Sequence, residues 1–431
     1  MHASWADLGE EMSRIQGAVV VRRPDLVKSP AMLGPANTLD FVKVFQSYFA
    51  IFRSSLFPTR LMIDEKFLIE VDKDWLFFQA VANGDSEAAR FLSTYYATVE
   101  VPKPASDGYE NTPTLVGMAD VFINKLGYLW NDKNYIVPKS CKSHMFGPRA
   151  SSILPTNAES HKKVVVIAQY WGDEYYHFLV EALPRITLML DVLVENLDIK
   201  VAVHAPKPGS ESHTAYIYEL LALLGIERER VIFIQTEIHA DLAILPSSIP
   251  CGRPDTQMVN MLRSVLLKAM YPKTRGVPPQ VPRPMIVLVM RESKRWLKNN
   301  DQVREALKQD FPDHDVVEFW GDGPIIRQLQ LFATASIIVA PHGAGLSNMV
   351  VSPLHTPVLE IGPPDCPACF IHLALKLQHV YARHLGTKER RTPCASAYEP
   401  NVDEVVRLVR DLLEAKQQAD VMDPPSASWH F

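Results

Sequence analysis

Four short stretches of this sequence carry side chains whose types and spacing suit chemistry. In Pro341-His342-Gly343-Ala344-Gly345-Leu346-Ser347-Asn348 an apolar run ends in a glycine-containing turn that opens onto a helical pattern. Such a turn lets the backbone approach a ligand and aims free N–H groups and a positive helix end at it, which suits a diphosphate. His342, Ser347 and Asn348 add side-chain donors. The same glycines also suit a tight strand-to-helix turn with no ligand at all. Neither the six-position glycine fingerprint of dinucleotide enzymes nor a P-loop lysine is present, so neither NAD nor ATP is indicated.

The second stretch, Arg291-Glu292-Ser293-Lys294-Arg295, follows the apolar run Met285 to Met290. The planar forks of Arg291 and Arg295 match phosphate oxygens, with Lys294 between them as a further cation. A solvated basic loop would look the same. The third is Glu360, at the end of the run Pro357 to Ile361, where a carboxylate can accept both hydroxyls of a ribose or form a structural ion pair. In the fourth, His177, Glu181 and Arg185 stand at i, i+4 and i+8 and so share one helix face directly after a strand. Pro184 within that helix should kink it.

Other patterns point nowhere specific. Asp313-His314-Asp315 has the Asp-x-Asp form of metal-dependent sugar transferases but falls in a loop before a strand. Cys366-Pro367-Ala368-Cys369 is a lone Cys-x-x-Cys and reads as a structural loop. There is no His-Glu-x-x-His and no Gly-x-Ser-x-Gly. No metal site and no resident cofactor are expected.

The elements that must position these residues are legible from Lys163 onward. Near-continuous apolar runs alternate with amphipathic stretches of helical length, which is the pattern of βαβ units around parallel strands buried on both faces. Two such arrays are expected, an N-terminal Rossmann-like domain at 161–275 and a C-terminal one at 285–395. The proline-rich stretch 271–284 lies between them as a linker. Ligands on open parallel sheets bind outside the carboxyl ends of the strands, where all four stretches fall. A closing helix at 401–416 begins at Asn401, with Glu404 completing a capping box, and 417–431 is expected to be a disordered tail. Residues 1–160 read as an irregular region of mixed structure, with a helix at Asp40 to Arg53 and a short strand at Phe67 to Val71.

Composition bounds the partners. With 431 residues and 47% hydrophobic side chains the chain can bury large cores, and it is neither disordered nor fibrous. Forty-four basic against 49 acidic residues give a net charge of −5, so no general basic field exists to draw nucleic acid or anionic lipid. No apolar run is long enough to span a membrane. Five cysteines leave at least one thiol unpaired within a monomer and do not indicate a compartment.

Tyr175 to Arg185, the Arg291 to Arg295 block, and Ile338 to Asn348 followed by Val358-Leu359-Glu360-Ile361 together resemble glycosyltransferase family 61. That family includes xylan xylosyl- and arabinosyltransferases and O-linked N-acetylglucosamine transferases. The resemblance implies an α/β fold of GT-B type, two Rossmann-like parallel-sheet domains facing a cleft. It also implies inverting transfer of a sugar from a nucleotide-sugar, usually a UDP-sugar, to a glycan or glycoprotein hydroxyl without an obligatory metal. Carried over by position, Arg291, Lys294, Arg295, His342, Gly343, Ala344, Gly345, Ser347, Asn348 and Glu360 would hold the donor. His177 and Glu181 would face the acceptor. Where the family often has two adjacent arginines this chain has Lys294-Arg295, so Lys294 stands in for one contact.

For the base, Glu181 is favoured, with His177 orienting the sugar; Arg185 either fixes Glu181 or packs on the sheet. A non-catalytic nucleotide-sugar binding protein is the alternative function. The resemblance places eukaryotic members in the Golgi or endoplasmic reticulum lumen behind an anchor and bacterial ones in the cytoplasm. Sugar, acceptor and oligomeric state are not encoded in these motifs.

Overall fold

The computed structural model describes residues 18–22, 76–78, 114–131, 135–138, 140–141, 155, 157–363, 366–384 and 394–422. The helix expected at Asp40 to Arg53 and the strand at Phe67 to Val71 lie outside these residues. The chain forms two compact units that divide between Cys251 and Gly252.

The first unit is built on β1 (Ala18–Arg22), β2 (Leu76–Phe78), β3 (Thr114–Ile123), β4 (Leu129–Trp130), β5 (Tyr135–Pro138), β6 (Glu159–Val166), β7 (Lys200–His204), β8 (Val231–Ile234) and β9 (Ile238–Pro246). They form one sheet in the order β2-β5-β4-β3-β9-β6-β7-β8, with β1 paired to β3. β9, β6, β7 and β8 run parallel, as the apolar runs of the sequence require. The expected purely parallel sheet is corrected at its other half. β3 pairs antiparallel with β9 from Leu115↔Pro246 to Ile123↔Ile238, and β4 and β5 continue antiparallel. Residues 114–138, read as part of an irregular region, therefore bury Val116, Met118, Val121 and Ile123 in the same core as Val164, Val166 and Leu245.

The single helix expected after β6 is three pieces: a wide π-type turn His177–Ala182, a narrow 3₁₀ segment Leu183–Leu188, and the α-helix Leu190–Glu195. Pro184 explains the change of pitch. A proline has no N–H to give and its ring would strike the carbonyl four residues back. The preceding turn widens instead, so that the Leu183 N–H donates to Phe178 O, five residues back.

The second unit carries β10 (Met285–Val289), β11 (Asp315–Phe319), β12 (Ile337–Pro341), β13 (Val358–Ile361) and β14 (Tyr381–His384), all parallel, in the order β11-β10-β12-β13-β14. Their core joins Ile286, Leu288, Val339 and Leu359 to Val303 and Leu307 of the helix Asn300–Asp310 and to Val405 and Val409 of the helix Val402–Met422.

Two boundaries differ from the sequence reading. The helix Thr256–Met270, capped by the Asp255 side chain accepting from Met258 N at 2.8 Å, belongs to the second unit, where the Arg263 guanidinium donates to Ser352 O. The proline-rich stretch after it is therefore not where the units divide. The last helix starts as expected, with Asn401 Oδ1 accepting from Glu404 N at 3.0 Å, but it runs through Met422 and so occupies the first part of the expected tail. Residues 423–431 lie outside the described residues. Among the described residues no helix is long and apolar enough to cross a membrane.

Candidate active site

In the second sheet the chain moves from β10 outward to β11 and then returns to the other side of β10 with β12. The crevice beyond the carboxyl ends of β10 and β12 is thus the switch point at which open α/β sheets bind ligands. Arg291 leaves the end of β10 and His342-Gly343 leave the end of β12, and the two meet there. A Cβ on Gly343 would lie 1.9 Å from one terminal nitrogen of the Arg291 guanidinium, and one on Gly345 would lie 3.0 Å from Val289 Cγ1. Close approach, rather than backbone conformation, is what these glycines provide.

Arg291 is braced by its Nε donating to Lys294 O at 3.0 Å. Burial, and next the charge of Arg295, lower its pKa from the ordinary arginine value. Arg295 stands in the left-handed backbone region at φ 69°, and its buried Nε has no hydrogen-bond partner among the described residues. The charge of Arg295 thus bears on Arg291, whose guanidinium stands beside the start of the 3₁₀ helix Ala344–Val351. An anion placed there would relieve that repulsion. Lys294 is exposed, while Ser347 and Asn348 are fully buried beneath the turn.

In the first unit, His177 Nδ1 lies 2.8 Å from Glu181 Oε2, and Gln169 Nε2 donates to the same oxygen at 3.1 Å. Glu181 is 0% exposed, whereas the His177 side chain keeps 18% of its surface. The imidazole is flanked by the rings of Trp171 and Tyr176, with centroids 5.3 and 5.2 Å away. Because a carboxylate only accepts, the geometry makes Nδ1 the donor and leaves Nε2 with a lone pair.

Arg185 resolves to the second of its two expected roles. Fully buried, it donates to Val166 O (3.0 Å) and Ile167 O (3.1 Å) at the end of β6 and to Pro246 O (3.1 Å) at the end of β9. It closes the point where those two neighbouring strands leave the ladder.

Residues 175–359 match the family model described as Glycosyltransferase 61. Over that stretch the chain carries the sequence pattern of glycosyltransferase family 61. It is a glycosyltransferase enzyme, and the match spans both candidate sites from Tyr175 through the β12 turn to the start of β13. No curated protein matches the chain significantly in sequence. Among solved structures the chain is similar to the dodecameric iron-containing heptosyltransferase TibC in complex with ADP-D-β-D-heptose, at 10% identity and a TM-score of 0.30, over 71% of this chain and 94% of that one. TibC from enterotoxigenic E. coli H10407, described as an iron-containing dodecameric glycosyltransferase, is similar at 11% identity and a TM-score of 0.29, over 72% and 94%.

Within the transferase, Glu360 sits differently from a ribose acceptor. It is 1% exposed. Its Oε1 meets His342 Nδ1 at 2.5 Å and Arg383 at 3.1 Å, while Oε2 accepts from the Tyr381 hydroxyl. Burial and the adjacent carboxylate push the Tyr381 phenol up, keeping it a donor. A ribose would have to displace these partners, so the carboxylate's evident work is to hold His342 against the glycine turn.

Two disulfides shape the sites. Cys141–Cys251 places Cys141 Sγ 3.6 Å from His177 Nδ1, and Cys366 pairs with Cys394, not with its Cys-x-x-Cys partner Cys369. Cys141, Cys251, His177 and Glu181 cluster closely enough to surround a cation, as do Cys366, Cys394 and His342. With the sulfurs bonded to each other, only the histidines and Glu181 retain ligand character there.

Sequence reasoning missed Trp320 and Asp322, which line an open groove of about 590 Å³ with Arg291 and Gly345. The signal was available, because Trp320 is the first residue after β11 and the strand-end rule applied to the other strands applies to it. Also missed was Asp173, buried beside His204 and His213 at 3.6 and 3.9 Å.

Proposed function

We propose that this enzyme is an inverting transferase of GT-B type that moves a sugar from a nucleotide-sugar, by preference a UDP-sugar, to a hydroxyl of a glycan or glycoprotein. The second unit holds the donor and the first supplies the base. The observation that carries the donor assignment is the meeting of Arg291, which feels the charge of Arg295, with the Gly343–Gly345 turn at the sheet's switch point, an arrangement of cation and backbone donors suited to a diphosphate.

In the reaction the acceptor oxygen attacks the anomeric carbon from the side opposite the diphosphate. The bond from that carbon to the phosphate oxygen breaks, its electron pair leaves with the nucleotide, and the acceptor proton passes to the base. Buried Glu181 has no surface to offer an acceptor, so the proton goes to His177 Nε2, with Glu181 fixing the tautomer and stabilising the imidazolium that forms. This exchanges the roles that helical spacing alone suggested. Arg291 and Arg295 neutralise the charge arriving on the diphosphate, and no metal is required for that task.

The test is donor hydrolysis and transfer across UDP-, GDP-, ADP- and CMP-sugars, with the wild type beside Arg295→Ala and with and without EDTA. Release of one nucleotide from one sugar, lost in the variant and indifferent to chelator, supports the proposal. Tight donor binding without release under any acceptor mixture would favour a nucleotide-sugar binding protein instead.

A further inference from the structure

Trp320 is a large aromatic residue left 46% exposed at the carboxyl end of β11, lining the groove that also holds Arg291 and Gly345. Isolated exposed apolar residues are ordinary, but this one is held in place from several sides. Its Nε1 donates to Glu318 Oε2 at 3.1 Å, and the other oxygen of Glu318 is gripped by Arg304 at 2.7 Å. The loop that follows turns through Gly321 and Gly323, both at positive φ. Gln328, nine-tenths buried, reaches back from the helix Ile325–Ala333 to donate to Gly323 O at 2.9 Å. The indole's polar edge is therefore occupied by the protein, and what the groove receives is its apolar face. Phe319, the last residue of β11, packs towards Gly345, 3.5 Å from where a Cβ would stand.

We propose that Trp320 is the stacking platform for the nucleobase of the donor. The assignment rests on the donor reading of the β12 turn given above. A planar ring fixed at its edge and open on its face suits another flat π system, and stacking of this kind accepts any base. Its place in the same groove as Arg291 and Gly345 puts the base beside the diphosphate it is joined to through the ribose. A preformed platform also costs little conformational entropy on binding.

Calorimetric titration with UDP, GDP, ADP and CMP identifies the tightest nucleotide for the wild type, and that nucleotide and inorganic pyrophosphate are then compared in Trp320→Ala and Trp320→Phe. Alanine should weaken the nucleotide about ten- to a hundredfold, phenylalanine should restore most of the affinity, and pyrophosphate, which has no base, should bind all three forms alike. Equal nucleotide affinity in wild type and Trp320→Ala overturns the platform and leaves the donor site standing. A variant whose only defect is a raised KM for the acceptor overturns it in favour of an acceptor subsite. No nucleotide binding to the wild type removes the donor reading and the platform together.

Discussion

Arg291 lies against the Cα of Gly343 so closely that a single methyl group on that carbon would fall 1.9 Å from a guanidinium nitrogen. The two residues come from neighbouring parallel strands and are over fifty positions apart, so the contact exists only when β10 and β12 pair in their observed register, Leu288 opposite Val339. Gly343→Ala should therefore expel the guanidinium from the turn without unfolding the sheet. We expect donor affinity to fall at least tenfold, about 1.4 kcal/mol, with the melting temperature within a few degrees of wild type. Unchanged donor binding would mean that Arg291 does not serve the donor from this position.

The His177 and Glu181 variants separate the two candidate bases. Removing a general base costs about 10²–10⁴ in rate, so His177→Ala should lose that much. Glu181→Gln keeps a hydrogen-bonding partner for Nδ1 but not the charge, and should lose less while shifting the pH–rate profile. An inactive Glu181→Gln beside an active, folded His177→Ala would reverse the assignment.

Arg185 is a matter of stability, not chemistry. Its removal leaves carbonyls of Val166, Ile167 and Pro246 buried without these donors, at about 1–3 kcal/mol each. Arg185→Ala should thus lower the free energy of unfolding by several kcal/mol, read from the denaturation midpoint, and Arg185→Lys should recover only part of it because an ammonium cannot reproduce the fork. Normal stability with lost turnover would contradict this and return Arg185 to the active site.

The disulfide Cys141–Cys251 closes a separation of 110 residues, for which loop entropy allows a stabilisation of up to about 4–5 kcal/mol. Its sulfur also borders His177. Cys141→Ala with Cys251→Ala, or treatment with a thiol reductant, should lower the melting temperature and depress transfer together. Removing Cys366–Cys394, which belongs to the second unit, should affect stability more than the base. Activity that survives reduction intact would show that the disulfide does not position the imidazole.

Acid should destabilise the second unit through His379, whose Nε2 donates to Met349 O at 3.0 Å. Burial, and next the charge of Arg263, pull its pKa down from 6.5 to about 3. Above pH 6.5 the residue is neutral folded or unfolded and contributes no pH dependence. As pH falls below 6.5 the unfolded chain takes up a proton that the folded one refuses, so stability declines, by about 2 kcal/mol on reaching pH 5. His379→Gln should flatten that part of a plot of melting temperature against pH. An identical slope in the variant would assign the acid loss to other groups.

Much of the second sheet could be read from the chain directly. Strands buried on both faces leave continuous apolar runs, and Met285–Val289, Ile337–Pro341 and Val358–Ile361 are such runs. Groups that bind ligands sit where the runs stop, so Arg291, Arg295, His342 and Gly343 were visible as candidates before any contact was known. The first sheet was half legible. β3 is also apolar, but its partner β9 lies more than a hundred residues away and runs antiparallel to it, a pairing no local period encodes. Five cysteines admit many pairings, and proximity in the fold selected Cys141 with Cys251 and Cys366 with Cys394.

Helical spacing placed His177, Glu181 and Arg185 on one face and could not say which of them water reaches. That was decided by the tertiary structure: Pro184 changes the pitch of the helix, the β6 and β9 carbonyls capture Arg185, and Glu181 is buried under Gln169 while the imidazole stays partly open. Residue types and their order along the chain determined which chemistry was possible, because strand periodicity and motif chemistry are local. Which groups perform it was left to packing, because burial and long-range contact depend on chain segments far apart in sequence.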